Sequence, residues 1–578
     1  MRRRSVCVRP LNGAETLLAV LVRCGVDRIF ASPGSEWAAL WEALARARSG
    51  NGEAPEYLSV GHEELAVSMA SGWAKATGRL PAVVLHTTVG SMHATMALRA
   101  AKHEQIPMVV LAGESVAWGE DSGPDPGAQW LAVLSDIGGP SAAVERSVKW
   151  SSRVPAAEVL ASMVQRAGLL AREAPSGPVF LSVPVEYLTA DGGALPPGTR
   201  LADPTAGDSA ALFETADALM AADRPLIVAE DSGLQHKTVP LLVDLAEKVG
   251  ARVVETRGAR YTNFPRSHPL HCGFAPADLV DDADEILLVG SSGPWHPSSR
   301  ELGSSTGLTV IGENPLRSHV PYWGYPVTRV IPGDIGASLE LLLAQVGSGV
   351  TAAPDRLGAI GAINDDRRAR LRDRARSESA RSPITARWAA LALAEGVPDG
   401  TTIVDETLTA RTAILEMTEQ KEAGSWYAGA LGGLGTALGT TLGVRLATAS
   451  GLVVCTIGDG SVGYEPAFAA LGASRELGLP FLMYVMNNQG YLSQKAPTAQ
   501  LFPEGFAVRH NDFPGLENAL TPDYRQLAAA FGGAGWMVAD PLELPGVIDA
   551  AVAHVTDGSF GIIDVRLEPT SSLKSRGD

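Results

Sequence analysis

LVVCTIGDGSVGYEPAFAALGASRELGLPFLMYVMNNQGY, residues 452–491, is the stretch from which the fold can be read. Leu452 to Ile457 is an apolar, β-branched run without polar alternation, the pattern of a strand buried on both faces. It ends in Gly458-Asp459-Gly460, a tight polar turn that displays a carboxylate. Pro466 to Leu477 reads as a helix, Gly478 and Pro480 punctuate it, and Phe481 to Met486 forms a second apolar strand closing on Asn487-Asn488. Strand, crossover helix and parallel strand put Asp459 and Asn488 at the carboxyl ends of neighbouring strands, the edge where open α/β sheets bind ligands. A carboxylate, an amide oxygen and the carbonyls of the next turn are hard oxygen donors suited to Mg2+ or Ca2+, and such an ion would neutralise a bound phosphate. Gly458 and Gly460 let phosphate groups approach the backbone. Each half alone also reads as an ordinary turn or loop; the pair in one unit is what points to a metal and phosphate site.

The same alternation of helix and strand extends outward. From Asn12 to Leu188 helices are expected at Gly13 to Cys24, Trp37 to Arg46, His62 to Thr77 and Ser91 to Lys102. Strands are expected at Asp27 to Ala31, Ala82 to His86, Met108 to Ala112 and Val179 to Val183. Thr189 to Gly207, rich in Pro, Gly and Asp, reads as a linker, and strands recur at Pro225 to Ala229, Ala251 to Glu255, Glu285 to Gly290, Leu308 to Glu313 and Thr328 to Ile331. Asp365 to Arg381, with seven arginines from Arg367 on, is a solvated helix and hinge. The expectation is an α/β chain of three doubly wound parallel-sheet domains, at residues 10–190, 208–350 and 384–570.

Composition bounds the function. The 578 residues exceed one core, and 46% hydrophobic with 19% charged residues is a globular composition. A net charge of -17 without a basic stripe argues against nucleic acid as a partner. The start, MRRRSVCVRPLNGAETL, has no apolar stretch behind its basic cluster and so is not a signal peptide, and no apolar run is long enough to span a bilayer. Cys7, Cys24, Cys272 and Cys455 lack metal-site spacing and read as reduced thiols of a cytoplasmic enzyme. No G-x-G-x-x-G opens a helix of the middle segment, which leaves a dinucleotide dehydrogenase without local support.

In the first segment, Glu63 opens a helix followed by apolar residues. Partial desolvation there could hold a carboxyl near the pKa that proton transfer needs, although acidic residues also suit any first helical turn. His62-Glu63-Glu64 with Ala70 to Gly78, and Gly-Asp-Gly spaced 26 residues from Asn-Asn, resemble the thiamin diphosphate enzymes that include acetolactate synthases, pyruvate decarboxylases and benzoylformate decarboxylases. The resemblance runs from about Asn12 to Leu567. It implies pyrimidine-binding, middle and diphosphate-binding domains in that order, with Glu63 as the acid at the cofactor's pyrimidine. It also implies Asp459, Asn488 and the Gly490 carbonyl as ligands of Mg2+ (or Ca2+), with Gly458, Gly460 and Ser461 around the diphosphate.

Within that family the nearest likeness is to the benzoylformate decarboxylases. Ser32-Pro33-Gly34-Ser35-Glu36 resembles the turn whose serine meets the substrate carboxylate, which carries over to Ser35. Leu85 to Gly90 and Pro294-Trp295-His296-Pro297 resemble the regions of two active-site histidines, which carry over to His86 and His296. Two such histidines can relay protons while a hydroxyl orients a carboxylate. Gly432-Gly433-Leu434-Gly435 resembles the segment that gives Leu434 as the wedge bending the cofactor and Gly432 as a carbonyl donor, and the stretch around Thr407 and Leu408 resembles a cofactor contact. Leu408 departs from that pattern, where the benzoylformate decarboxylases have a threonine, and so does the segment after Tyr491 that covers the substrate in the family. The resemblance implies a non-oxidative decarboxylase of an aryl or bulky 2-oxo acid. The alternatives are a carboligase joining a second carbonyl acceptor, or a catalytically silent relative kept for binding. It implies at least a homodimer, and a homotetramer by likeness, with no membrane or nucleic acid partner.

Overall fold

A computed structural model describes residues 11–569, apart from 51, 115–137, 292, 319, 321–322, 350, 430–431 and 518–520. The basic start with Cys7, and the outermost domain limits at 10 and 570, lie outside the described residues. The chain forms three sheets, parallel throughout, with helices in the connections. The first contains β1 (Arg28–Ser32), β2 (Glu56–Ser59), β3 (Ala82–Leu85), β4 (Met108–Glu114), β5 (Trp150–Arg153) and β6 (Pro178–Pro184), in the order β2-β1-β3-β4-β6-β5. The second contains β7 (Pro225–Ala229), β8 (Arg252–Val254), β9 (Glu285–Val289), β10 (Gly307–Gly312) and β11 (Arg329–Pro332), in the order β11-β10-β9-β7-β8. The third contains β12 (Thr402–Glu406), β13 (Trp426–Ala428), β14 (Val453–Gly458), β15 (Leu482–Asn487), β16 (Ala534–Val538) and β17 (Gly561–Arg566), in the order β13-β12-β14-β15-β17-β16. Counted within each sheet, the first and third share one strand order, so one topology is used twice.

The central strands are the continuous apolar runs. β3, β4, β6 and β15 are buried at every residue, as a parallel sheet covered on both faces requires. Structure departs from sequence expectation where that signal is weak. β2 and β5 were not expected, because their part-exposed residues show neither alternation nor a long apolar run. The helix expected at Ser91 to Lys102 is two helices, Thr88–His93 and Thr95–His103, broken at Ala94. Gly458-Asp459-Gly460 is not a free turn: Asp459 opens a one-turn helix, Asp459–Val462. The arginine-rich stretch lies, up to Ser377, in a long helix, Pro354–Ser377, and Arg381 lies beyond it.

Contacts divide the chain into two compact units. One is the chain up to Ala202 with Leu438–Thr448 and Pro466–Ala473; the other is the remainder. In the first unit, the helix Glu63–Thr77 is buried along nearly all its length and stops at Gly78, whose φ of 67° supplies a left-handed cap. It lies against Leu438–Thr448 with backbones almost touching: a Cβ on Gly443 would stand 2.7 Å from the Trp73 nitrogen, and one on Gly72 would stand 2.8 Å from the Thr440 Cα. Only glycine fits this crossing. No described helix is long and apolar enough to cross a membrane.

Candidate active site

Three adjacent strands of the first sheet deliver the first group of side chains. β1 pairs with β2 (Phe30 opposite Leu58) and with β3 (Ser32 opposite Leu85), so the chain leaves all three carboxyl ends side by side. After β1 comes a short 3-10 turn, Ser35–Trp37, whose Trp37 indole N–H donates to the Leu85 carbonyl at 2.8 Å and pins the turn to the end of β3. Ser35 is exposed there, while Glu36 is buried. After β3 comes His86, whose Nδ1 meets the Glu36 carboxylate at 2.8 Å. After β2 come His62 and Glu63 at the head of the long helix.

Gly90 brings these together. A Cβ on it would lie 2.8 Å from the His86 Cβ and 2.9 Å from a Glu63 carboxylate oxygen. Ser35, His86 and Glu63 therefore converge on one edge. The Glu36 carboxylate and, more weakly, Glu63 hold the His86 imidazole above the usual histidine range, against the opposing effect of burial. Glu63 also meets the Nδ1 of the exposed His93 at 3.3 Å, and the His93 ring stacks on His62. Burial pushes His62 down, against the opposing pull of Glu63. Atoms of His62, Glu63 and His93 lie within 4.8 Å of one another. The His62 Nδ1, however, accepts the Glu64 backbone N–H at 3.1 Å as the helix cap, which puts the ring proton on Nε2 and leaves the His62 ring no lone pair for a metal.

The second unit holds the other group. Gly458 faces Met486 across the β14–β15 pair, so Asp459 and Asn487-Asn488 leave the sheet at one level, and Asp459 and Asn488 are both buried. Asn487 is spoken for, donating to Asp564 at 2.8 Å. The Asn488 amide oxygen accepts the Gly490 N–H at 3.2 Å, folding a compact turn through Gln489, whose φ is 58°. Gly460 is a cradle: a Cβ there would come within 2.8 Å of the Tyr491 ring. Buried hard oxygens on one edge beside a glycine-cleared backbone fit a small divalent cation and the phosphates it would bridge.

At the end of β12, Asp405 accepts from Thr407 at 2.7 Å, Thr456 at 2.8 Å and Arg411 at 2.7 Å, and holds the turn in which Leu408 has a φ of 48°. A branched non-glycine residue in that region is strained, and such strain gathers at functional sites. Glu406, buried beside it, accepts the backbone N–H of Gly435 at 3.0 Å and of Thr436 at 3.3 Å, and so anchors the segment carrying Leu434, which is half-buried, and Gly432, which is exposed with a φ of 83°. Burial drives the Glu406 carboxyl up to about 7 despite those two donors. Ser461 donates to the Glu406 carbonyl at 3.1 Å, tying the Asp459 helix to the same turn.

Residues 11–130 match the family described as thiamine pyrophosphate enzyme, N-terminal TPP binding domain, and residues 408–565 match its C-terminal TPP binding domain. The chain belongs to the thiamine pyrophosphate enzymes. It is 27% identical to the benzoylformate decarboxylase of Pseudomonas aeruginosa, over 92% of this chain and 95% of that protein. It is 26% identical to the acetolactate synthase large subunit IlvG of Mycobacterium tuberculosis, over 98% of each. Its fold is that of the Rhodococcus jostii thiamine diphosphate-dependent 4-hydroxybenzoylformate decarboxylase, with a TM-score of 0.77 and 23% identity over 97% of this chain and all of the other. The Polynucleobacter necessarius benzoylformate decarboxylase gives a TM-score of 0.78 and 18% identity over 98% of this chain and all of the other.

In this thiamine pyrophosphate enzyme the expected side chains fall into two groups. Ser35, Glu63 and His86 share the first unit; the second carries Thr407, Leu408, Gly432, Leu434, Gly458, Asp459, Gly460, Ser461, Asn488 and Gly490. His296 is also in the second unit, exposed on the loop after β9. That loop is fixed just before it, where the Trp295 ring meets Tyr325 edge-on at 5.3 Å and its carbonyl accepts the Tyr325 hydroxyl at 2.8 Å. Glu36, Asp405 and Glu406 were not singled out from sequence. Each follows or ends a strand, and that position is the signal that could have found them.

Proposed function

We propose that the chain is a thiamin diphosphate-dependent, non-oxidative decarboxylase of a 2-oxo acid with an aryl or otherwise bulky side chain. The observation that carries this is the convergence of Ser35, His86 and Glu63 on one sheet edge, and the relatives named for benzoylformate and 4-hydroxybenzoylformate support it. When bound, thiamin diphosphate supplies the electron sink that lets the carboxylate leave as CO2. The chain's own groups do the rest. The Ser35 hydroxyl orients the substrate carboxylate. His86 and His296 deliver a proton to the carbon that has lost CO2 and remove one from the product hydroxyl. Glu63 exchanges a proton with the aminopyrimidine.

Asp459, Asn488 and the Gly490 carbonyl would hold Mg2+ (or Ca2+), with Gly458, Gly460 and Ser461 around the diphosphate, Thr407 and Leu408 beside it, Leu434 as the wedge and the Gly432 carbonyl at the aminopyrimidine. The domains are pyrimidine-binding at 10–190, middle at 208–350 and diphosphate-binding at 384–570. Glu63 serves a cofactor whose metal is held by another copy of the chain, in a homodimer at least and a homotetramer by likeness. Val89, Met92 and Met96, exposed apolar side chains flanking His93, support a face covered by such a partner. Cys24, Cys272 and Cys455 are thiols rather than disulfides, which supports a cytoplasmic setting.

A second reading is carboligation, in which a second carbonyl compound takes the place of the proton. The acetolactate synthase relatives favour it, as does the segment after Tyr491, where Leu501, Phe502 and Phe506 are exposed. A silent relative would have lost Glu63, Asp459 or Asn488, and all three are present. The test is to incubate the protein with Mg2+, thiamin diphosphate and a panel of 2-oxo acids, with and without aldehydes, and identify products by mass. Benzoylformate or a similarly bulky acid should yield its aldehyde, and Glu63→Gln should lower the rate by a hundredfold or more while the fold is kept, a loss on the order of general acid–base catalysis. Hydroxyketones without free aldehyde would establish the second reading, and no product from any acid would overturn both.

A further inference from the structure

The Glu36 carboxylate is walled in, and its surroundings are built for it. Its side chain is fully buried in the short turn after β1, while the His86 ring it meets is about one-third exposed, 31%. Two glycines clear the space: a Cβ on Gly34 would run into the His86 ring and the Glu36 carboxylate, and one on Gly113, near the end of β4, would run into the Glu36 side chain, with its carboxyl carbon 3.0 Å away. One carboxylate oxygen accepts the Gly34 backbone N–H at 3.3 Å and the other meets His86 Nδ1 at 2.8 Å. One oxygen of this buried acid is thus held by backbone and the other is aimed at a partly exposed imidazole.

We propose that Glu36 is a positioning residue: it takes the hydrogen bond from Nδ1–H of His86 and so leaves Nε2 as the atom that exchanges a proton with the reacting group. This rests on the catalytic reading of His86 above and adds how that ring is set. An imidazole with Nδ1–H donated to a carboxylate has its Nε2 lone pair free, and the pair stabilises the imidazolium that forms when Nε2 takes a proton. Glu36 itself never touches the substrate, and the Nδ1 proton stays in the hydrogen bond while the transferred proton comes and goes at Nε2. The charged groups acting on His86 are Glu36 from the turn after β1 and Glu63 from the helix after β2, both carboxylates, with His62 and His93 beyond Glu63. Both carboxylates act in one direction, so removing Glu36 lowers the titration of His86 without reversing its sign.

The test uses the whole, cofactor-loaded enzyme and its Glu36→Gln variant, with Glu36→Asp as the conservative partner. Site-resolved hydrogen–deuterium exchange at the imidazole carbon, read by mass spectrometry across pH, gives the His86 titration; the pH profile of kcat/KM on the best 2-oxo acid gives the catalytic limb. In Glu36→Gln the His86 midpoint should fall by roughly one pH unit or more, the effect of losing an adjacent opposite charge. The catalytic limb should move down with it, and Glu36→Asp should fall in between. A His86 midpoint unchanged in Glu36→Gln overturns the proposal. A midpoint that falls while the catalytic limb stays in place overturns the catalytic reading of His86 instead, so the two failures are told apart.

Discussion

At Glu406, burial and hydrogen bonding pull in opposite directions, and burial prevails. The carboxyl titrates near 7 in the folded chain, against 4.5 for the ordinary group. The folded state therefore holds a proton that the unfolded state has lost between those values. Its contribution falls as pH rises from about 4.5 to about 7 and is flat above. Two and a half pH units correspond to roughly 3 kcal/mol at most. Urea midpoints measured from pH 4.5 to 8 should show the natural chain losing stability relative to Glu406→Gln across that window; parallel curves would contradict the assignment. No local pattern hints at this, because the Asp405-Glu406 pair looks like any acidic strand end. What was legible at this scale were polar residues that follow strand ends at the sheet edges: Glu63, Asp459, Asn488. Glu36 stayed hidden because an acid after Pro-Gly-Ser reads as a surface residue until Gly113, 77 positions later, is seen beside it.

Among elements, the crossing of Glu63–Thr77 with Leu438–Thr448 puts most weight on single residues. Gly439 and Gly443, one turn apart, face the Ser68 side chain and the Met69 backbone. In an open helix Gly→Ala gains up to about 1 kcal/mol. Here the added methyl meets backbone that has nowhere to go, and overpacking costs about 1–3 kcal/mol. Gly443→Ala should thus lower the thermal midpoint by several degrees, while Gly358→Ala, in the helix Pro354–Ser377 with nothing within 4 Å, should leave it level or raise it. Scanning calorimetry checks both, and a Gly443→Ala chain as stable as the natural one would contradict the packing. Strands with long apolar runs, such as β7 and β15, could be placed from sequence to within a residue. β2, β5 and the three-residue β13 could not, since only their neighbours in the sheet make them strands.

At the scale of the molecule, one strand order serves twice, and the two copies divide the labour. The first carries Ser35, Glu63 and His86 after its first three strands; the third carries Asp459 and Asn488 after its third and fourth. The alternation of helix and strand foretold three parallel sheets, but the shared order of two of them depends on long-range pairing that no local pattern carries. The proposed chemistry depends on thiamin diphosphate being anchored through a metal held by Asp459 and Asn488. The most direct measurement is calorimetric titration of chelator-stripped protein with thiamin diphosphate, with and without Mg2+, on the natural chain and on Asp459→Ala. Saturable binding that needs Mg2+ and is lost in Asp459→Ala is the expected result. Equal binding without the metal, or undiminished binding in Asp459→Ala, would contradict it.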